Sequence, residues 1–314
     1  MKVDSSEAIQ KVNILEKNIQ KVIKGKKEVI RDVIVAFLSG GHVLIEDVPG
    51  VGKTTLAQAL AKSTNLSYNR IQFTSDLLPS DILGVSIYDH NTSEFKFKPG
   101  PIFSCIVVAD EINRATPKTQ SALLQAMGEA KVTIDGRTFN LIKPFIVIAT
   151  QNPFEYKGTF PLPENQLDRF AIRISIGYPD YQSEKEIITN INPYNSSDDL
   201  SPVVSKDDIL YLQSLVIKVT IDESILEYIL DIVNKTRDNS YFDLGVSPRG
   251  TIALKLAAQA NAIVEGRNYC IPDDVKNMAV AVLAHRVIMK TEVSKVSTEE
   301  EAIMEILEMI KVPH

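Results

Sequence analysis

Long apolar runs are missing from this 314-residue chain. Nothing approaches the roughly 20 consecutive apolar residues that a bilayer-spanning helix needs, so no membrane span is expected. The opening stretch, MKVDSSEAIQ, has no apolar core of the kind a secretory leader carries, and a cytoplasmic location follows as the default expectation. Cysteine is scarce, with two residues, and so is histidine, with four. Cys105 sits inside an apolar run and reads as a small buried hydrophobe. Cys270 precedes Pro272 near a turn, and neither cysteine has a partner at metal-ligand spacing. His42, His90, His285 and His314 are scattered singly, which supports neither a His-based metal site nor a Ser–His–Asp arrangement. An excess of basic charge is also lacking: 34 Lys and Arg stand against 40 Asp and Glu, for a net charge of −6. That weighs against a broad basic surface for nucleic acid and leaves room only for a local basic loop. No internal repeat or low-complexity tract is found.

What is present is ordinary for a soluble globular chain, 44% apolar and 24% charged, and long enough for two domains. Helical periodicity covers residues 7–22 and again Lys27–Ser39, where Val29, Ile30, Val33, Ile34, Phe37 and Leu38 share a face. Gly40-Gly41 ends that helix. Buried strands are predicted at His42–Ile45, Arg70–Phe73, Cys105–Ala109, Phe145–Ala149 and Ala171–Ile176. Hairpins are predicted over roughly 85–98 and 131–140, the second turning at Asp135-Gly136. The stretch Asp76–Gly84 reads as loop and turn. Five apolar strands alternating with helices predict an α/β domain with a five-stranded parallel sheet covered on both faces. Beyond about Asp180 no further buried strand is expected. Helices are predicted near 183–191, 206–218, 223–239, 248–265, 273–287 and 298–311, after which the division reads 1–182 for the α/β domain and 183–314 for an all-α domain. Asn192–Pro202 reads as a polar, turn-rich connection.

The chain is organised around HVLIEDVPGVGKTTL, His42 to Leu56. An apolar strand enters a glycine-bearing turn, and Lys53, Thr54 and Thr55 open a helix. That order is what a phosphate cradle requires. Gly50 and Gly52 let the backbone approach an anion, and the helix N-terminus adds positive dipole charge. Lys53 would reach the β- and γ-phosphates and Thr54 would ligate Mg²⁺. The strict pattern has glycine five residues before Gly52, where this chain has Asp47.

Downstream residues supply the rest of a phosphoryl-transfer site. Asp110 and Glu111 end a buried strand, the edge at which open parallel sheets bind ligands. Asp110 would hold Mg²⁺ through its waters, and Glu111 would serve as general base toward water. Asn152, just past another strand end, can orient that water. Arg169 ends a short helix near Glu164–Asp168, where it can reach a neighbouring subunit's γ-phosphate or else pair with Glu164 or Asp168. Arg249 sits in the first turn of a helix opened by Ser247 and Pro248, where the dipole disfavours a cation and a bound anion would compensate.

These segments resemble the AAA+ ATPase superfamily, and within it the MoxR family. The resemblance rests on EDVPGVGKT (46–54), TSDLLPSDILG (74–84), PGPIF (99–103), ADEINRATPKTQSALLQAM (109–127), ATQNP (149–153), GTFPLPENQLDRF (158–170) and GVSPRG (245–250), and covers nearly the whole chain from about Val22. It implies a nucleotide site of Pro49, Gly50, Val51, Gly52, Lys53, Thr54 and Thr55, with Ile23 and Gly25 in the backbone segment that embraces adenine. Lys26 stands where the family has glutamine. It further implies Asn152 as sensor 1, Arg169 as arginine finger, Arg249 as sensor 2, and the two hairpins as client-facing elements. The expected function is Mg²⁺-dependent ATP hydrolysis driving chaperone-like remodelling, assembly or activation of protein complexes. A homo-oligomeric ring, of hexameric size, is implied, with a protein client and a von Willebrand factor A-domain partner and no nucleic acid. Two rival readings stay open here. One is a nucleic-acid motor using Lys96, Lys98, Lys131 and Arg137 of the hairpins. The other is a nucleotide-gated binding switch without sustained turnover.

Overall fold

The computed structural model describes residues 5–153, 158–190, 200–290 and 296–313. Two helices lead, α1 (Ser5–Gln20) and α2 (Lys27–Leu38), and β1 (Val43–Glu46) runs through the Gly50–Gly52 loop into α3 (Lys53–Thr64). After β2 (Tyr68–Gln72) comes a short helix, α4 (Pro79–Leu83), in the stretch that reads as loop by sequence. Pro79 in its first turn and the Asp81 carboxylate, which accepts from the Leu78 N–H at 2.9 Å, give it a start. The first hairpin, β3 (Gly84–Asp89) and β4 (Glu94–Pro99), precedes β5 (Ile106–Asp110) and α5 (Pro117–Glu129). The second hairpin, β6 (Lys131–Ile134) and β7 (Arg137–Asn140), turns at Asp135-Gly136 and leads to β8 (Ile146–Gln151), α6 (Glu164–Leu167) and β9 (Ile172–Ile174).

The remainder is mainly helical: α7 (Tyr181–Asn190), α8 (Lys206–Val216), α9 (Glu223–Arg237), α10 (Pro248–Val264), α11 (Pro272–Leu283) and α12 (Glu299–Met309). It also carries a small antiparallel pair, β10 (Phe242–Leu244) with β11 (Ile288–Met289), too short to leave a periodic signal in the sequence. The connection expected over Asn192–Pro202 lies mostly outside the described residues. Helix starts follow local chemistry. Ser205 and Asp208 form a reciprocal capping box on α8, and Ser247 and Thr298 cap α10 and α12 through their hydroxyls.

The main sheet is fully parallel with order β2-β5-β8-β1-β9. Side chains alternate across it. Val43, Ile45, Ile106, Val108, Ile146 and Ile148 face one core with Leu56, Ala57 and Leu60 of α3. Leu44, Val107, Ala109, Val147 and Ala149 face the other, with Leu123, Leu124 and Met127 of α5. The α3 and α5 helices therefore lie on opposite faces. The first core continues without a break into the second part of the chain, taking in Ile232, Leu254, Ala258, Met278 and Val282. At the sheet's end Arg173 of β9 bridges Glu46 of β1 and Glu300 of α12. Among the described residues no helix is long and apolar enough to cross a membrane.

Candidate active site

Strand order assembles the site. Between β1, which delivers the glycine loop, and β5, which delivers Asp110, lies β8, whose last residue precedes Asn152. All three strands are parallel, so the loop, the acids and Asn152 emerge at the same carboxyl edge.

Gly50 and Gly52 both have positive φ, 86° and 93°, and no described atom lies within 4 Å of where a Cβ would stand on either. The loop thus takes a left-handed path around open space, a conformation that glycine alone adopts without strain. Pro49 and Gly50 are exposed, and Val51 to Thr55 are half-buried. Lys53, the first residue of α3, donates its Nζ to the Asp47 carbonyl at 2.7 Å. Burial pulls its pKa below the ordinary lysine value, against the raising effect of Asp47, Asp110 and Glu111. A polyphosphate in the loop would add negative charge beside an ammonium that is short of solvent.

Asp47, at the position where the strict pattern has glycine, has a structural task no glycine could perform. Its carboxylate accepts from the Val48 N–H at 2.8 Å, the Ser175 hydroxyl at 3.0 Å and the Gly177 N–H at 2.6 Å. Burial opposes its charge, but these hydrogen bonds outweigh it and hold the carboxyl below its usual range. The next residue along, Tyr178, accepts from Lys26 Nζ at 2.8 Å. That gives Lys26 a tether in place of the glutamine expected there. Ile23 is buried in the core, while Gly25, at φ 69°, packs so closely on Ser183 that a Cβ would meet its Oγ at 2.3 Å.

Asp110 is buried at the end of β5. The Thr54 hydroxyl donates to its Oδ2 at 3.1 Å and the Thr150 hydroxyl to its Oδ1 at 3.2 Å. Thr54 and Asp110 are thus adjacent oxygen donors, the chemistry Mg²⁺ prefers. No cluster of three His, Cys, Asp or Glu side chains among the described residues could hold a metal. A cation here fits Mg²⁺, which keeps its waters and takes its remaining ligands from substrate phosphates.

Glu111 follows at φ 56° and ψ 48°, left-handed for a residue with a full side chain. That strained conformation is held by its N–H donating to Thr150 Oγ1 at 3.0 Å and by the Arg114 N–H donating to its carbonyl at 2.8 Å. Strain of this kind collects at functional positions. Its carboxylate accepts from Gln72 Nε2 at 2.7 Å and lies 3.2 Å from Arg114 Nε. Arg70 Nε donates to Asp110 Oδ2 at 2.6 Å. Sequence reading missed Arg70, Gln72 and Thr150. Arg70 and Gln72 stand two apart on β2 and so share a face, but only the β2–β5 pairing, with Gln72 opposite Asp110, shows which face.

The two remaining arginines lie elsewhere. Arg169 makes neither of the pairs considered for it, with Glu164 or Asp168. Its Nη1 donates to the Leu124 carbonyl at 2.9 Å and rests over Gly128 on α5, across the sheet from α3. Arg249 is exposed in the first turn of α10, with Nη1 3.8 Å from Asp168 Oδ2.

Residues 42–172 match the model for the ATPase family associated with various cellular activities (AAA), and residues 234–306 match the AAA lid domain. The uncharacterized protein YeaC of Bacillus subtilis (strain 168) is 51% identical over 94% of this chain and 93% of its own length. Chaperone MoxR1 of Mycobacterium tuberculosis (strain ATCC 25618 / H37Rv) is 39% identical over 86% of this chain and 74% of its own. The crystal structure of a candidate ATPase from Cytophaga hutchinsonii superposes with a TM-score of 0.89 at 39% identity, covering 99% of this chain and 97% of the other.

Proposed function

From the premise that this chain belongs to the MoxR family of AAA+ ATPases, we propose a specific site for its hydrolysis of ATP to ADP and phosphate. The observation that carries the reading is the contact of Thr54, at the start of the loop helix, with Asp110 at the end of β5. It joins the phosphate loop to the acid that would hold Mg²⁺. In this reading Pro49 shapes the loop, the N–H groups of Gly50–Thr55 and the Lys53 ammonium bind the phosphates, and the backbone at Ile23 and Gly25 lines the base. Thr54 and Asp110 hold Mg²⁺, which when bound neutralises charge on the phosphates. Glu111 takes the proton of the attacking water and Asn152 orients it. Arg249 senses the γ-phosphate from the lid, residues 183–314, which closes over the α/β domain, residues 1–182.

Arg169 completes a neighbour's site in trans. Its contact with α5 supports this, because α3, which carries Lys53 and Thr54 of its own cradle, lies on the opposite face of the sheet. A homo-oligomeric ring, hexameric in the simplest case, follows from that requirement. We place the ring in the cytoplasm, using ATP to remodel, assemble or activate a protein client together with a von Willebrand factor A-domain partner. The test is a pair of variants. Lys53→Ala abolishes nucleotide binding, whereas Glu111→Gln keeps binding and loses hydrolysis by about 10²- to 10⁴-fold, the range of a lost general base. Hydrolysis at the unmodified rate in Glu111→Gln would remove the base from the scheme.

A further inference from the structure

We propose that Asp168 is a positioning residue through which the lid sets the place of the arginine finger Arg169. This deepens the reading of Arg169 given above and rests on it. The carboxylate of Asp168 is spent on the second part of the chain. Arg286 Nε donates to its Oδ1 at 2.9 Å, and the Ser247 hydroxyl lies 3.0 Å from both of its oxygens. Ser247 also caps α10, its oxygen accepting from the Gly250 N–H at 3.1 Å. Arg249, two residues further on, approaches Oδ2 to 3.8 Å. One carboxylate thus gathers the start of α10 and the turn after α11, and its chain neighbour is the finger.

The joint is built to be stiff. Arg286 has 2% of its side chain exposed, and its other N–H groups donate to the Phe170 and Ala171 carbonyls on the far side of Arg169 and to Val282 at the end of α11. The guanidinium therefore grips the backbone on both sides of the finger. His285 Nε2 lies 3.1 Å from the same Phe170 carbonyl. Gly250 is required by this arrangement: a Cβ there would stand 2.8 Å from Arg286 Cδ and 2.6 Å from Val246 Cγ1. The last glycine of GVSPRG thus clears the path by which Arg286 reaches Asp168. A buried guanidinium with a single carboxylate partner has no second place to go, so when α10 and α11 move, the backbone around Arg169 moves with them. Arg249 touches the same carboxylate. A γ-phosphate that draws Arg249 away from this carboxylate changes the charge around the residue that holds the finger.

The test uses whole rings of the full chain. Asp168→Asn should retain nucleotide binding, measured by direct titration, and lower kcat by about 100-fold, the scale of a misplacement near 1 Å. Because the variant leaves Arg286 buried without a counter-charge, Asp168→Asn/Arg286→Met, which removes both charges, is measured beside it. The decisive readout is complementation. Lys53→Ala subunits have no working cradle but carry an intact Arg169, and mixing them into rings of either Asp168 variant should restore hydrolysis, as it should for Arg169→Ala. Rescue of Arg169→Ala without rescue of the Asp168 variants overturns the positioning role while leaving the finger in trans intact. An unchanged kcat in a folded Asp168 variant also overturns it. If Arg169→Ala is not rescued either, the transfer of an arginine between subunits fails, and this proposal fails with it.

Discussion

Gln72 and Glu111 show how single hydrogen bonds set the resting state of the site. The same Glu111 oxygen accepts from Gln72 and faces Arg114, so the carboxylate is tethered and must leave Gln72 to turn toward water. Gln72→Ala, which frees the general base from this tether, should raise the client-free ATPase rate several-fold, with nucleotide affinity unchanged. An unaltered rate by phosphate release would show that Gln72 does not restrain the glutamate. His42 offers a test of stability. Burial lowers its pKa from the ordinary 6.5 to about 4, partly offset by its hydrogen bond to the Met127 carbonyl. The folded-state value lies below the unfolded one, so the stabilisation is complete above about pH 6.5 and fades as pH falls toward 4. Between pH 7 and pH 5 the loss is roughly 2 kcal/mol. The buried His285 shifts in the same direction. Urea midpoints at the two pH values should separate clearly in the unmodified chain and less in His42→Gln, which keeps a donor but does not titrate.

At the scale of elements, the two hairpins act as one body. Phe97 of β4 stacks on Phe139 of β7, with ring centroids 4.2 Å apart and planes 25° apart, and meets Phe103 edge-on at 5.5 Å. Beyond that stack Phe95 is 67% exposed and Ile87 48%, which suits the client-facing role expected of the hairpins. A stacked aromatic pair contributes about 0.5–1.5 kcal/mol beyond its buried area. Phe97→Ala should therefore loosen both hairpins, read as faster hydrogen exchange across 131–140 as well as 84–99. Unchanged exchange in 131–140 would mean the second hairpin is held by its own base. Both hairpins are legible in the sequence from alternation and from Asp135-Gly136. Their stacking is not, because Phe97 and Phe139 are brought together only by the packing of β4 and β7 on the α5 side of the sheet.

For the whole molecule, the position of Arg169 away from its own cradle has a kinetic consequence. The rate per chain should rise with protein concentration, tracking assembly by sedimentation. Isolated subunits should be slower by about 10³ or more, the lower end of what an arginine finger supplies in small GTPases. A dilute, strictly monomeric sample that hydrolyses ATP at the full rate would remove the ring from the scheme. The core shared between the sheet and the helices after β9 adds that the lid is packed onto the α/β part, with α11 against β9 and α10 against α1 and α2, rather than hung from it.

The sequence by itself determined whatever depends on neighbours along the chain. The strand, glycine loop and helix of 42–56 are local geometry. The acids at 110 and 111 and Asn152 are marked by the ends of apolar strands, and the helix start at Ser247 by its capping residue. Only the tertiary structure decided the partners of charge. Asp110 meets Arg70 and Thr150 because β2 and β8 flank β5, Asp47 anchors the loop because Ser175 and Gly177 follow β9, and Asp168 meets an arginine that is 118 residues away. The physical reason is one of range. Periodicity and capping act over a few residues and leave a pattern in the chain, whereas an ion pair in a low-dielectric interior is fixed by strand order and helix packing, which no short segment encodes.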